Sequence, residues 1–208
     1  MLGFGPAEEP LVLGAFQEIC QIECDDGIEF DLDTLKIEEI RKDANYSGLR
    51  ISLTGYVDGA RCPIQIDIGY GDAVTPAPET AEYPVMLSDT PVPILRVYPR
   101  YTVIAEKFEA LISLGMINTR LKDYFDLWVI LTTAELDQNL LGEAIAATLA
   151  HRKTTLPSSL PVGLSEEFSS DAQKITQWNA FIKKNQLDAP NLDVVVTILR
   201  DRLAQFVS

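Results

Sequence analysis

YTVIAEKFEALISLGMINTRLKDYFDLWVIL, residues 101–131, combines an apolar helical rhythm with a dense set of charged side chains. Ile104, Phe108, Leu111 and Ile112 recur at helical spacing, and after a break at Gly115 to Thr119 so do Tyr124, Leu127, Trp128 and Leu131. The pattern predicts a helical hairpin. Glu106 and Lys107 fall in the first turns of its first helix, and Arg120, Lys122, Asp123 and Asp126 crowd the start of its second. Lys122 and Asp126 are placed on one helix face, about 5–6 Å apart at Cβ, and Asp123 neighbours Asp126 at a spacing of three. Such a set can hold an anion, a metal, or only its own members. Charges at this spacing most often form a solvated face whose pairs contribute about 0.3–0.5 kcal/mol each. Acids at a helix start also suit the positive end of its dipole.

Working outward, the N-terminal MLGFGPAEEP reads as a loop that ends where Leu11, Leu13, Ala15, Phe16 and Ile19 begin a short helix, with Glu8 and Glu9 at its start. GIEFDLD, 27–33, is a short strand pattern, and LKIEEIR, 35–41, is a second, ambiguous piece read as strand. Leu49, Ile51 and Leu53 alternate with polar residues, Asp58-Gly59 turns the chain, and Ile64, Ile66 and Ile68 alternate again, which together predict a β-hairpin. Period two sets the isoleucines on the core face and Asp67 on the other, facing water or serving a site. Six prolines between Gly71 and Pro99 argue for an extended connection, with a domain boundary near its end. Past the central hairpin, 139–149 is a further amphipathic helix, KTTLPSSLPVGLS a linker, and Ile175–Ile182 and Leu192–Phe206 helical runs. The fold class is therefore α+β, a mixed or antiparallel sheet at 1–98 followed by a helical bundle at 99–208. Trp178 and Phe181 could stack a base, but core packing is the commoner use of such a pair.

Composition sets limits on function. The chain has 208 residues, 47% hydrophobic and 23% charged, enough for a sizeable core. Against 31 Asp and Glu stand 17 Lys and Arg, a net charge of -14 that opposes non-specific attachment to phosphate backbones or anionic lipid, though not a local basic pocket. No apolar run approaches a membrane span and no signal peptide is visible, so a cytoplasmic protein is expected. Cys20, Cys24 and Cys62 are odd in number and read as reduced thiols. With His151 the single histidine, the set falls short of a structural zinc site, and a Ser–His–acid triad would need a histidine in a polar, proline-flanked stretch.

The pairing of AEKFEAL with NTRLKDYFDL about a dozen residues later, preceded by QIDIGYGD and a Tyr-Pro, resembles the AbiEii/AbiGii family of nucleotidyltransferase-like toxins, and the similarity runs over essentially the whole chain. The resemblance implies a nucleotidyltransferase-type domain at 1–98, a nucleoside triphosphate with Mg²⁺, and transfer of a nucleotide to an acceptor such as a tRNA end. It implies Asp67 as a metal ligand and Lys107 and Lys122 as cations meeting phosphate. Asp123 joins these as a catalytic candidate, and Glu106, Arg120 and Asp126 form the cofactor-binding set; Glu106, Asp123 and Asp126 are expected to orient the lysines or to lie behind the metal's ligands. In one respect the chain departs from the pattern: no Gly-Ser followed by Asp-x-Asp precedes Asp67, since Asp25 and Asp26 are adjacent and Asp31 with Asp33 lacks the Gly-Ser. The chain thus resembles a member without its first helices and first catalytic strand, whether by a shifted start codon, trimming or degeneration. One carboxylate cannot hold two Mg²⁺ ions against a triphosphate, so it is expected to be inactive as it stands.

Two other readings stand beside this one. The fold could persist as a binding or regulatory module for an antitoxin or a nucleotide, its acidic surface suiting a basic protein better than RNA. Alternatively, the charges of 101–131 could be a structural ion-pair network. The transferase reading expects Asp67, Lys107 and Lys122 to converge on one cleft.

Overall fold

The computed structural model describes residues 1–3, 5, 7–43, 46–87, 89–156 and 159–207. Two compact units divide the chain, Met1–Asp72 and Ala73–Ser208. The division falls earlier than the expected boundary near 98, so the proline-rich stretch groups with the helices.

In the first unit, β1 (Leu2–Gly3) is followed by α1 (Glu9–Cys20), β2 (Ile28–Asp43), β3 (Tyr46–Val57) and β4 (Ala60–Tyr70). The strands form one sheet in the order β1-β4-β3-β2, antiparallel except for β1, which runs parallel to β4. The β3–β4 hairpin forms as its sequence predicts: Asp58 and Gly59 both take positive φ, 47° and 76°, the backbone of a two-residue turn matched to strand twist. Leu49, Ile51, Leu53 and Ile68 are buried, and Phe16 of α1 completes that core. Ile64 and Ile66 pack against it without being fully covered. The two pieces expected at 27–41 are one long strand whose register slips between Asp31 and Lys36. Asp31 causes the interruption locally, its carboxylate accepting from the Asp33 amide while its carbonyl accepts from the Thr34 hydroxyl.

The second unit begins with a feature the prolines conceal. Within the expected extended connection, β5 (Glu79–Glu82) and β6 (Ile94–Val97) pair antiparallel as a separate two-stranded sheet. Proline at strand flanks removes donors only where no ladder needs them. The helices follow: α2 (Arg100–Leu114), a 3-10 turn at Gly115–Ile117, α3 (Leu121–Thr133), α4 (Gln138–Arg152), α5 (Glu166–Ser170), α6 (Ala172–Asn185) and α7 (Leu192–Leu203). Gly115 ends α2 with φ 48°. Asp137 caps α4 through the amides of Asn139 and Leu140, and Asp171 caps α6 through that of Lys174. Phe108, Leu111, Tyr124, Leu127, Trp178 and Leu199 lie in one continuous core. Trp178 is buried there, its indole N–H donating to the Pro190 carbonyl, so it has no open face for a base. The linker expected at 153–165 ends in a 3-10 turn, Val162–Leu164, whose Leu164 is fully buried. The short α5 behind it had no periodic signal because a single turn cannot show one.

Candidate functional site

The residues expected to carry chemistry fall into one cluster in the first unit and two in the second. In the first, Asp67 lies on the polar face of β4, directly opposite Arg50 of β3. The two form a bidentate pair, Nε to Oδ1 at 2.8 Å and Nη2 to Oδ2 at 2.9 Å, both side chains partly exposed. These hydrogen bonds, and secondarily the charge of Asp67, raise the Arg50 guanidinium above its ordinary value. Beside the pair runs the N-terminal strand. The Met1 ammonium donates to the carbonyl of Asp67 at 2.7 Å, and the Gly69 amide donates back to the Met1 carbonyl at 3.0 Å.

The second unit gathers the charges of the helical hairpin. Lys107, from the middle of α2, places Nζ 2.6 Å from Oδ1 of Asp123 and 2.7 Å from Oδ2 of Asp126, both on the first turns of α3. The spacing of three puts these acids on one side of α3, and that side faces α2. Asp123 is almost wholly buried, its side chain 2% exposed, and Lys107 is 16% exposed. Arg120, 62% exposed, brings Nε 2.9 Å from the other oxygen of Asp123, a charge contact without aligned hydrogen-bond geometry. The loop before α3 is fixed from below. The Asn118 side-chain oxygen accepts from the Arg120 amide, and the Asn118 carbonyl accepts from the buried Lys174 of α6 at 2.7 Å. Lys122, paired with Asp126 by spacing, instead stands exposed with no ion pair within 4 Å among the described residues. Asp126 finds its cation on the neighbouring helix, because the face it shares with Lys122 points partly to solvent.

A third cluster joins α2 to the end of α4. Glu106 accepts from the Tyr98 hydroxyl at 2.6 Å and lies 3.5 Å from Arg152. One turn on, the buried Glu109 takes Arg152 at 2.7 Å and the Thr154 hydroxyl at 2.6 Å. Glu106 is thus part of a clasp with Arg152, while Lys107, its sequence neighbour, serves the α3 cluster. Arg50, Tyr98, Glu109 and Arg152 did not stand out in the sequence. Arg50 was within reach of it: counting outward from Asp58-Gly59 pairs 57 with 60 and so on to 50 with 67. Glu109 gave no signal, since its partner is 43 residues away and it interrupts an apolar helix face.

Asp67 supplies carboxylate oxygen, the right donor for a hard cation, but Arg50 engages both of its oxygens, and the described residues contain no group of three His, Cys, Asp or Glu able to hold a metal ion. The donor set present therefore does not by itself make a Mg²⁺ site. No helix among the described residues is long and apolar enough to cross a membrane.

Comparison with known proteins places these clusters in a family. No curated protein matches the chain. A solved structure, JHP933 from Helicobacter pylori, is similar at 17% identity and a TM-score of 0.48, the match covering 94% of this chain and 69% of that one. The family model described as nucleotidyl transferase AbiEii toxin, type IV toxin–antitoxin system, matches residues 2–200, so the chain, with both its sheet and its helices, belongs to the AbiEii family of nucleotidyl transferase toxins.

Proposed function

We propose that this protein is a cytoplasmic nucleotide-binding member of its toxin family, in which the start of α3 receives the phosphate groups of a nucleoside triphosphate. The observation that carries the reading is the division of labour around Asp123. Lys107 is consumed in holding Asp123 and Asp126, which fixes the α3 N-terminus, while toward solvent stand Lys122, with no ion pair within 4 Å among the described residues, and Arg120, exposed although its Nε lies 2.9 Å from Asp123. A guanidinium and an ammonium beside a helix N-terminus suit phosphate oxygen, the first by its fork of donors and the second as a point charge. Lys107, Asp123 and Asp126 then position, and Glu106 joins them through its clasp with Tyr98 and Arg152. Asp67, on β4, is the proposed metal-facing carboxylate, and Arg50 its counter-ion.

The acceptor in this reading is an RNA end, with tRNA the proposed substrate. The chain's own donors do not complete the transfer, since Asp67 is a single carboxylate already engaged by Arg50. An Asp-x-Asp fused ahead of Met1 would continue β1 along β4, beside Asp67, because Met1 already meets that residue's backbone.

The test is calorimetric titration of ATP, GTP, CTP and UTP with Mg²⁺ into this chain, its Lys122→Met variant, and a chain extended N-terminally by the Asp-x-Asp. The expected result is binding to the first, at least about tenfold weaker binding to the second at unchanged melting temperature, and transfer to tRNA only by the third. Absence of nucleotide binding from all three sinks the proposal. The net charge of -14 favours one alternative, a non-catalytic module that contacts a basic antitoxin, which predicts that outcome.

A further inference from the structure

A second surface lies in the first unit, on β2, a strand that carries none of the residues proposed for nucleotide binding. The sheet order leaves β2 with β3 as its one hydrogen-bonded neighbour among the described residues, so its outer edge is open. Two features narrow that edge to a window. At one end the Asp26 carboxylate accepts from the Ile28 amide, and at the other the register slips after Asp31. Between them, Ile28, Glu29, Phe30 and Asp31 keep regular pairing with Val57, Tyr56, Gly55 and Thr54.

The two faces of this window differ in character. Ile28, Phe30 and Val57 continue the apolar face that Leu53 and Ile51 begin, yet remain 41%, 37% and 44% exposed. The Phe30 ring lies across Gly55, where an added Cβ would come within 3.7 Å of it and 3.1 Å of Ile64. Glu29 and Asp31 point to the opposite face. From Glu18 to Leu35 the chain carries Glu18, Glu23, Asp25, Asp26, Glu29, Asp31 and Asp33 and no Lys or Arg. The nearest cation across the ladder is Arg61, separated from Glu29 by Tyr56.

We propose that the Ile28–Asp31 edge of β2 docks an extended, basic segment of a partner protein as an added strand. A strand alternates its side chains between two faces, so one whose apolar residues meet Ile28 and Phe30 directs its intervening residues toward Glu29 and Asp31. Lysine or arginine at those positions matches the carboxylates. A second copy of this chain would oppose like charges directly, and an RNA backbone would meet the same repulsion. This inference is independent of the nucleotide reading.

Three labelled octapeptides test it on the intact protein by fluorescence anisotropy: lysine alternating with valine, the same composition in two blocks, and glutamate alternating with valine. The alternating lysine peptide is expected to bind at least about tenfold more tightly than either control, to weaken in about 0.3 M salt, and to slow amide exchange within the window at Phe30, whose amide faces the open edge as that of Ile28 does. The variant Glu29→Lys, at an exposed side chain and with the Asp31–Asp33 hydrogen bond left in place, is expected to reverse the preference toward the glutamate peptide. Equal binding of the block peptide, no binding at all, protection mapped elsewhere, an unreversed preference, or self-association through this edge in sedimentation would each overturn the proposal.

Discussion

Lys107 holds two carboxylates at once, and one of them is buried. Replacing it with methionine leaves Asp123 in the interior with only the solvent-exposed Arg120 beside it. The expected cost is about 2–3 kcal/mol, below the range for a wholly buried pair because Arg120 stays and Asp126 reaches water. Urea unfolding measures it, and adding Asp123→Asn should recover part of the loss. The adjacent Tyr124 makes a pH-dependent contribution. Its ring is buried and stacked on Phe168 at 4.8 Å, its hydroxyl donates to the Gly163 carbonyl at 2.9 Å, and burial, then the charge of Asp123, pushes the phenol up. A raised value in the folded state means the contribution is whole below the unfolded tyrosine value of about 10 and is lost as pH rises beyond it. Melting temperatures should therefore fall above pH of about 10, and fall less steeply in Tyr124→Phe, which itself should cost about 1–2 kcal/mol for the orphaned carbonyl.

At the scale of elements, the Val162–Leu164 turn meets α2 and α3 with no room for a side chain at Gly163. An added methyl at Gly163 would sit 2.6 Å from the Leu111 carbonyl oxygen and 3.0 Å from the Tyr124 hydroxyl. Backbone cannot swing aside as a flexible side chain can, so Gly163→Ala should destabilise by about 1–3 kcal/mol in chemical denaturation. The longer helices and the β3–β4 hairpin were legible because each repeats its apolar period, whereas the five-residue α5 repeats nothing. The hairpin even carries its own register in Asp58-Gly59, and with it the Arg50–Asp67 pair. β5 and β6 were not legible, since four-residue strands among prolines repeat nothing, and the merging of 28–43 into one strand was hidden by the Asp31 interruption. The charged cluster was legible as a cluster but not in its wiring. Spacing along α3 suggested Lys122 for Asp126, whereas tertiary packing supplied Lys107 from α2 at 2.7 Å.

For the molecule as a whole, each unit has a core of its own, Phe16 with Ile51, Leu53 and Ile68 in one and the Phe108–Tyr124–Leu199 set in the other. A fragment beginning at Ala73 contains every member of the larger core and should give a helical circular dichroism spectrum with a cooperative melt, as a unit with its own core does. A non-cooperative melt would show that the larger core needs residues 1–72.

The contact between the first residue and β4 bears on how preparations are made. A purification tag fused ahead of Met1 turns its ammonium into an amide and sends a foreign peptide out alongside Asp67, at the carboxylate whose ligand chemistry is in question. Assays on tagged material would then report on the tag as much as on the protein, and a handle on Phe206's side of the chain, or a cleavable one removed back to Met1, is the better choice.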